Sequence, residues 1–181
     1  MHTRKNSRSR TFARFFAGVG ILVLYSGGLS AETGKVGQFI FDGKTGCKVW
    51  NPHPQPNESV NWSGSCLNGF AHGRGVLLWL QNGKPYEKDE GEWKEGYQSG
   101  IGTQDWQSGR YEGELLNGEP NGRGTLSVKD VYFKGEFLRG KPNGFGTVKN
   151  ADGIFKGTWH DGCVTGLEKK IAVGVPLSAC P

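Results

Sequence analysis

The stretch YEGELLNGEPNGRGTL, Tyr111 to Leu126, sets glycines at Gly113, Gly118, Gly122 and Gly124 among alternating polar and apolar residues. A phosphate-binding loop with such glycines occurs once and opens a helix, because backbone N–H groups must converge on one anion at a helix N-terminus. A structural building block recurs instead, and this stretch recurs. Aligned on the pattern aromatic-x-Gly-x-apolar-x-x-Gly-x-x-x-Gly-x-Gly, the units are WSGSCLNGFAHGRG from Trp62, DEGEWKEGYQSGIG from Asp89, YEGELLNGEPNGRG from Tyr111, FKGEFLRGKPNGFG from Phe133 and FKGTWHDGCVTG from Phe155. The last three begin 22 residues apart, whereas the first two are 27 apart, with an insertion around QNGKPYE. A period in this range marks an array of supersecondary units.

Side chains alternate with period two along a strand, so the first residue of a unit and the residue four later share a face. The pairs are Trp62/Cys66, Asp89/Trp93, Tyr111/Leu115, Phe133/Phe137 and Phe155/Trp159. After the turn a second strand repeats the parity with Gly75 and Leu77, Gly124 and Leu126, Gly146 and Val148. Glycine is costly inside a strand and marks a bend or a close approach; here it leaves room for a neighbouring unit's ring to lie over bare backbone. NGEPNG and RGKPNG read as the turns. The predicted fold is all-β: an elongated, curved antiparallel sheet of about five hairpins. About ten strands at about 4.8 Å spacing give a length near 45–50 Å.

These units resemble the MORN repeat, whose pattern is close to Tyr-Glu-Gly-Glu-Trp-x-x-Gly-x-x-x-Gly-x-Gly. The resemblance runs from Trp62 to about Gly166. Asp89 departs from it by replacing the aromatic, Cys66 and Leu115 replace the Trp, and Glu168 stands where the last unit's second closing glycine belongs. The lead-in CKVWNPHPQPNESVNWSGSC also resembles the segment preceding the repeats in small exported MORN proteins of Gram-negative bacteria. The resemblance implies an interaction module, associated in the family with phospholipids, protein partners and self-association. Plant phosphatidylinositol phosphate kinases and a histone methyltransferase carry such repeats beside separate catalytic domains, and the lead-in before Trp62 is too short for one.

At the front, Arg4, Lys5, Arg8, Arg10 and Arg14 precede the apolar run FFAGVGILVLY and small residues ending LSA. This reads as a secretory signal peptide, residues 1–31. The apolar run is 11 residues, against roughly 20 for a bilayer span. Glu32 stands where a lipoprotein would carry its acylated cysteine, so no lipid anchor is expected, and the absence of adjacent arginines favours the general secretory route. Residues 32–61 form a lead-in, 62–166 the array and 167–181 a tail. Of the 22 basic residues five lie in the leader, leaving the remainder balanced against 17 acidic ones; that neutrality argues against nucleic acid and weakens membrane lipid as a partner. All four cysteines, Cys47, Cys66, Cys163 and Cys180, follow the leader, which suits disulfides in an oxidising compartment, periplasmic or extracellular. Three pairings are possible. Cys47–Cys66 and Cys163–Cys180 would staple the two ends without requiring them to meet, each contributing about 3 kcal/mol in the chain-entropy model. No C-x-x-C or H-x-x-x-H spacing supports zinc.

No nucleophile motif, H-E-x-x-H or Walker lysine loop occurs, and no cofactor is implied. His53, His72 and His160 are scattered over lead-in, turn and strand. Glu92, Glu114 and Glu136 repeat at one strand position and could imitate a glycosidase pair, but Lys94, Lys134 and Lys156 make that face a solvated mixed-charge surface. Repetition also gives those carboxylates no reason to differ in pKa. The aromatic row, Trp93, Tyr111, Phe133, Phe137, Phe155 and Trp159, either packs unit on unit or lines a groove for a peptide, a glycan or a second copy. The expected function is a non-enzymatic interaction or scaffold protein that binds a protein or cell-envelope partner through that groove or a sheet edge. The alternatives are a peripheral membrane or cell-wall module and, behind it, a carbohydrate-active enzyme.

Overall fold

Period-two alternation becomes strand along nearly the whole chain in the computed structural model, which describes residues 37–165 and 170–181. The leader 1–31 and the array–tail boundary at 166–167 lie outside the described residues. The strands are β1 (Gln38–Phe41), β2 (Lys48–Asn51), β3 (Glu58–Trp62), β4 (Ser65–Leu67), β5 (Phe70–Gln81), β6 (Lys84–Lys94), β7 (Tyr97–Trp106), β8 (Gly109–Leu116), β9 (Glu119–Val128), β10 (Val131–Leu138), β11 (Lys141–Asn150), β12 (Gly153–His160) and β13 (Cys163–Val164). From β5 onward each strand pairs antiparallel with the next, giving one open meander. The lead-in is more regular than its prolines suggest: β1 and β2 form a hairpin, β3 and β4 both pair with β5, and β2 meets β5 in parallel at Lys48 and Phe70.

The turns are tighter than the sequence reading expects. Only two residues turn the chain at Glu95–Gly96, Asn117–Gly118, Arg139–Gly140 and Asp161–Gly162, and both residues of each pair have positive φ. That is the primed turn whose twist matches flanking strands. The rest of NGEPNG and RGKPNG is strand, and Pro120 and Pro142 sit in β9 and β11 beside register shifts, opposite Leu115 and Phe137. Each turn also rests on the preceding unit. Gly118 N–H donates to the Gln98 carbonyl (2.8 Å), Gly140 to Pro120 (2.9 Å) and Gly162 to Pro142 (2.9 Å); across the longer first unit Gly96 donates to Ala71 (3.0 Å).

The glutamate row has a backbone task. At the register shifts Glu114 Oε1 accepts the Arg123 N–H and Glu136 Oε2 the Phe145 N–H, both at 2.9 Å. The carboxylates lie where Gly122 and Gly144 would carry Cβ atoms, and Glu92 lies likewise over Gly100. Glu114 and Glu136 therefore satisfy donors that the bulge removes from the ladder.

On the other face, rings lie over bare glycine backbone, chiefly within their own hairpin; the expected neighbour's ring appears at Gly146, where Trp159 of the next unit also lies over the backbone. A Cβ at Gly75 would strike the Trp62 ring, at Gly124 the Tyr111 ring and at Gly146 the Phe133 ring. The buried residues form two clusters, one around Val49, Trp62, Leu77 and Trp93, the other from Tyr111 through Phe137 and Trp159 to Val173. Disulfides Cys47–Cys66 and Cys163–Cys180 tie the ends, with Cα atoms 5.7 and 5.5 Å apart. At the C-terminal end the tail crosses back over the last turn, where Val173 N–H meets the Gly162 carbonyl at 2.8 Å and Ile171 and Val173 are buried.

Gly124→Ala is expected to lower unfolding stability by about 1–3 kcal/mol, because the added methyl has no room against Tyr111. Gly118→Asn, at a left-handed turn position facing open space, should cost less than about 1 kcal/mol. Urea unfolding of the two variants measures both values.

Candidate binding cleft

Five of the six rings expected to line a groove are buried: Trp93, Tyr111, Phe133, Phe137 and Trp159. Phe155 is partly buried against the same core. The first ring of one unit packs edge-to-face on the second ring of the next: Trp62 on Trp93 (5.1 Å between centroids), Tyr111 on Phe137 (5.2 Å) and Phe133 on Trp159 (5.0 Å). Such pairs contribute about 0.5–1.5 kcal/mol beyond burial. The row is thus mostly interior packing. The Tyr111 hydroxyl donates to the Glu114 carbonyl at 2.8 Å. Burial pushes its pKa well above the ordinary 10, and the nearby Glu114 carboxylate adds to the shift.

The row breaks at the second unit. By the same spacing Asp89 should pair with Leu115, and neither carries a ring. Two more positions depart in that unit: Gln98 stands where later units have Pro120 and Pro142, and Gln104 where they have Leu126 and Val148. Asp89, Gln98 and Gln104 are all buried, between the two apolar clusters. Gln98 Nε2 occupies the space above Gly102 that a ring fills elsewhere. It donates to the Glu90 and Thr103 carbonyls at 3.2 Å, while Gln98 Oε1 accepts from Gln104 Nε2 at 3.0 Å. Gln104 Nε2 also reaches the Gly118 carbonyl (3.0 Å), holding the next turn. Two acceptors around one nitrogen fix the amide's orientation. Trp79 Nε1 donates to Asp89 Oδ2 at 2.7 Å.

Beside this polar seam opens a cleft of about 510 Å³, within the roughly 300–1,000 Å³ range of small-ligand sites. Trp50, Trp79, Trp93 and Tyr97 line it together with Asp89, Gln98 and Gln104; Glu119, Arg139, Lys141 and Asp161 extend it across the following turns. Trp50 is placed by its N–H, bonded to the Gly96 carbonyl at 2.8 Å, and Phe39 packs edge-on against both Trp50 and Tyr97. Two buried polar atoms of the lining, Trp93 Nε1 and Gln104 Oε1, have no hydrogen-bond partner among the described residues. Such groups cost about 1–3 kcal/mol each.

Of the six rings singled out from sequence, only Trp93 lines the cleft. Trp50, Trp79, Tyr97, Gln98 and Gln104 were missed. The available signal was three polar departures at apolar positions of one unit, of which only Asp89 stood out. His53 lines the cleft; His72 and His160 do not, and His160 lies 3.6 Å from Asp161 on the surface. Exposed Glu92 faces Arg74 at 3.7 Å. Among the described residues no group of three His, Cys, Asp or Glu side chains is placed to hold a metal, and no helix is long and apolar enough to cross a membrane.

Stacked glycine hairpins with primed turns and a ring-on-glycine core define a β-repeat protein. The MORN repeat family model matches residues 63–83, 90–109, 111–127 and 133–154, and the chain belongs to the MORN-repeat proteins. The match covers the first four units and stops before Phe155, although β12 and β13 continue the same sheet. No curated protein matches the chain.

Gln104→Leu alone should destabilise by about 1–3 kcal/mol, since it orphans Gln98 Oε1 and the Gly118 carbonyl. Adding Gln98→Pro, which restores the residues of later units, should recover most of that loss in urea unfolding. Because folding raises the Tyr111 pKa, its contribution is complete below pH 10 and is lost as pH climbs beyond it. The alkaline fall in unfolding midpoint should accordingly be shallower in Tyr111→Phe, at the expense of about 1 kcal/mol at neutral pH.

Proposed function

We propose that the protein is a non-enzymatic interaction protein of the periplasm or the extracellular space, which holds a protein or cell-envelope component at the cleft beside its second hairpin. MORN repeats generally serve as non-catalytic modules that bind proteins or membrane lipids. The observation that carries the reading is the break in the aromatic row. A repeat built for packing alone would carry a ring, a proline and an aliphatic residue in its second unit as in its third; this one buries Asp89, Gln98 and Gln104 there and opens a tryptophan-lined cleft. Two members of the glutamate row, Glu114 and Glu136, are engaged by backbone N–H groups, and the third, Glu92, faces Arg74, which does not support an acid–base pair. Export is supported by the basic-then-apolar leader and by two disulfides that involve all four cysteines.

Crosslinking in an envelope extract followed by capture of the protein should recover a discrete partner, and Trp50→Ala should reduce its yield. Recovery of nothing beyond background, or the same recovery with Trp50→Ala, would count against the cleft. Residues 1–31 fused to a reporter that is active only after export should give activity outside the cytoplasm; retention inside would remove the assigned compartment.

A further inference from the structure

We infer that the cleft is a saccharide-binding site, in which a sugar ring lies against Trp50 and Tyr97 while one hydroxyl or acetamido group bonds to both Trp93 Nε1 and Gln104 Oε1. The inference rests on the cleft being the interaction site proposed above and names the ligand's chemistry.

Two features of the cleft select that class. Its partly exposed aromatic side chains, Trp50 and Tyr97, set over buried Trp79 and Trp93, provide apolar surface with polar tips, which suits a molecule with an apolar C–H face and a polar rim. The two buried atoms without partners are one donor, the indole N–H, and one acceptor, the amide oxygen. A hydroxyl or a secondary amide gives and takes a hydrogen bond at once, so a single such group answers both. A cation or an anion would answer only one.

The alternative, a space that merely failed to fill, predicts different chemistry. Leftover space in a core is apolar and needs no buried carboxamides around it. Here Gln98 and Gln104 brace one another and the next turn at 3.0 Å, which holds the Gln104 oxygen in one orientation before any ligand arrives.

The test titrates the purified, disulfide-bonded protein with chitotriose and with maltotriose, following tryptophan fluorescence and calorimetric heat. Saturable binding of at least one sugar is expected, with chitotriose favoured if an acetamido group makes the pair of bonds and maltotriose if a hydroxyl does. Trp93→Phe keeps a ring but removes the N–H, and should weaken binding about 10-fold or more. The Gln98→Pro, Gln104→Leu double variant restores the residues of later units and should weaken it at least as much while unfolding near the wild-type midpoint; it guards against mistaking a folding defect for lost recognition. No saturable binding of either sugar up to millimolar concentration overturns the inference. So does equal affinity in wild type and in both folded variants. If sugars fail but the crosslinked partner is still captured in a Trp50-dependent way, the interaction reading survives without the saccharide; if both fail, both are removed.

Discussion

The whole arrangement depends on aromatic rings lying against glycine backbone. Tyr111 over Gly124, Phe133 over Gly146 and Trp62 over Gly75 are contacts that no side chain larger than hydrogen permits. They bring each ring low enough on its own hairpin to receive the edge of a ring from the next. A single sheet has no second layer to bury its face, and this folding-down of rings supplies one from within. Glycine's entropic cost in a strand is offset by burial of large rings, at about 25 cal/mol per Å² of apolar surface.

Against that regularity, the second unit is specialised. Its three polar substitutions form one connected group, because their positions face one another across β6 and β7: Asp89 pairs in register with Gln104, and Trp93 with Gln98. The result divides the core into two apolar halves with a hydrogen-bonded seam between them. Repeat proteins tolerate such a seam because each unit depends mainly on its immediate neighbours, so one interface can be spent on recognition while the others hold the array together.

How much of this the sequence showed depends on whether the signal was periodic. Hairpins, parity of faces, end staples and a role for glycine as bare backbone all follow from spacing, and the MORN resemblance added register. Spacing did not say which glycine a ring would cover, because that depends on strand pairing: Gly113 is partnered by Gly124 within one hairpin, so the ring meets its own unit. Nor did it separate turn from bulge in NGEPNG, since both use glycine at positive φ; only Asn117–Gly118 turns the chain, while Gly122 makes room for Glu114. The cleft was invisible for a related reason. Trp50 arrives from β2 through the Gly96 carbonyl, a long-range contact with no periodicity, and Gln98 and Gln104 read as ordinary polar strand residues until their faces are known.

The two long margins of the sheet are not equivalent. Along one, every turn from Gly96 to Gly162 is bonded to a carbonyl one unit back, so its phase is locked. The first unit's five additional residues lengthen β5 and β6 toward Asn82–Gly83 on the other margin, and the bond from Gly96 to Ala71 is kept. Growth of such a chain by tandem duplication must therefore copy whole units to keep step on the locked side, whereas the opposite side is tied at fewer turns, by Asn82 to the Asn57 carbonyl and Lys129 to that of Ser108, leaving that border as the place where descendants of one ancestral array diverge in outline.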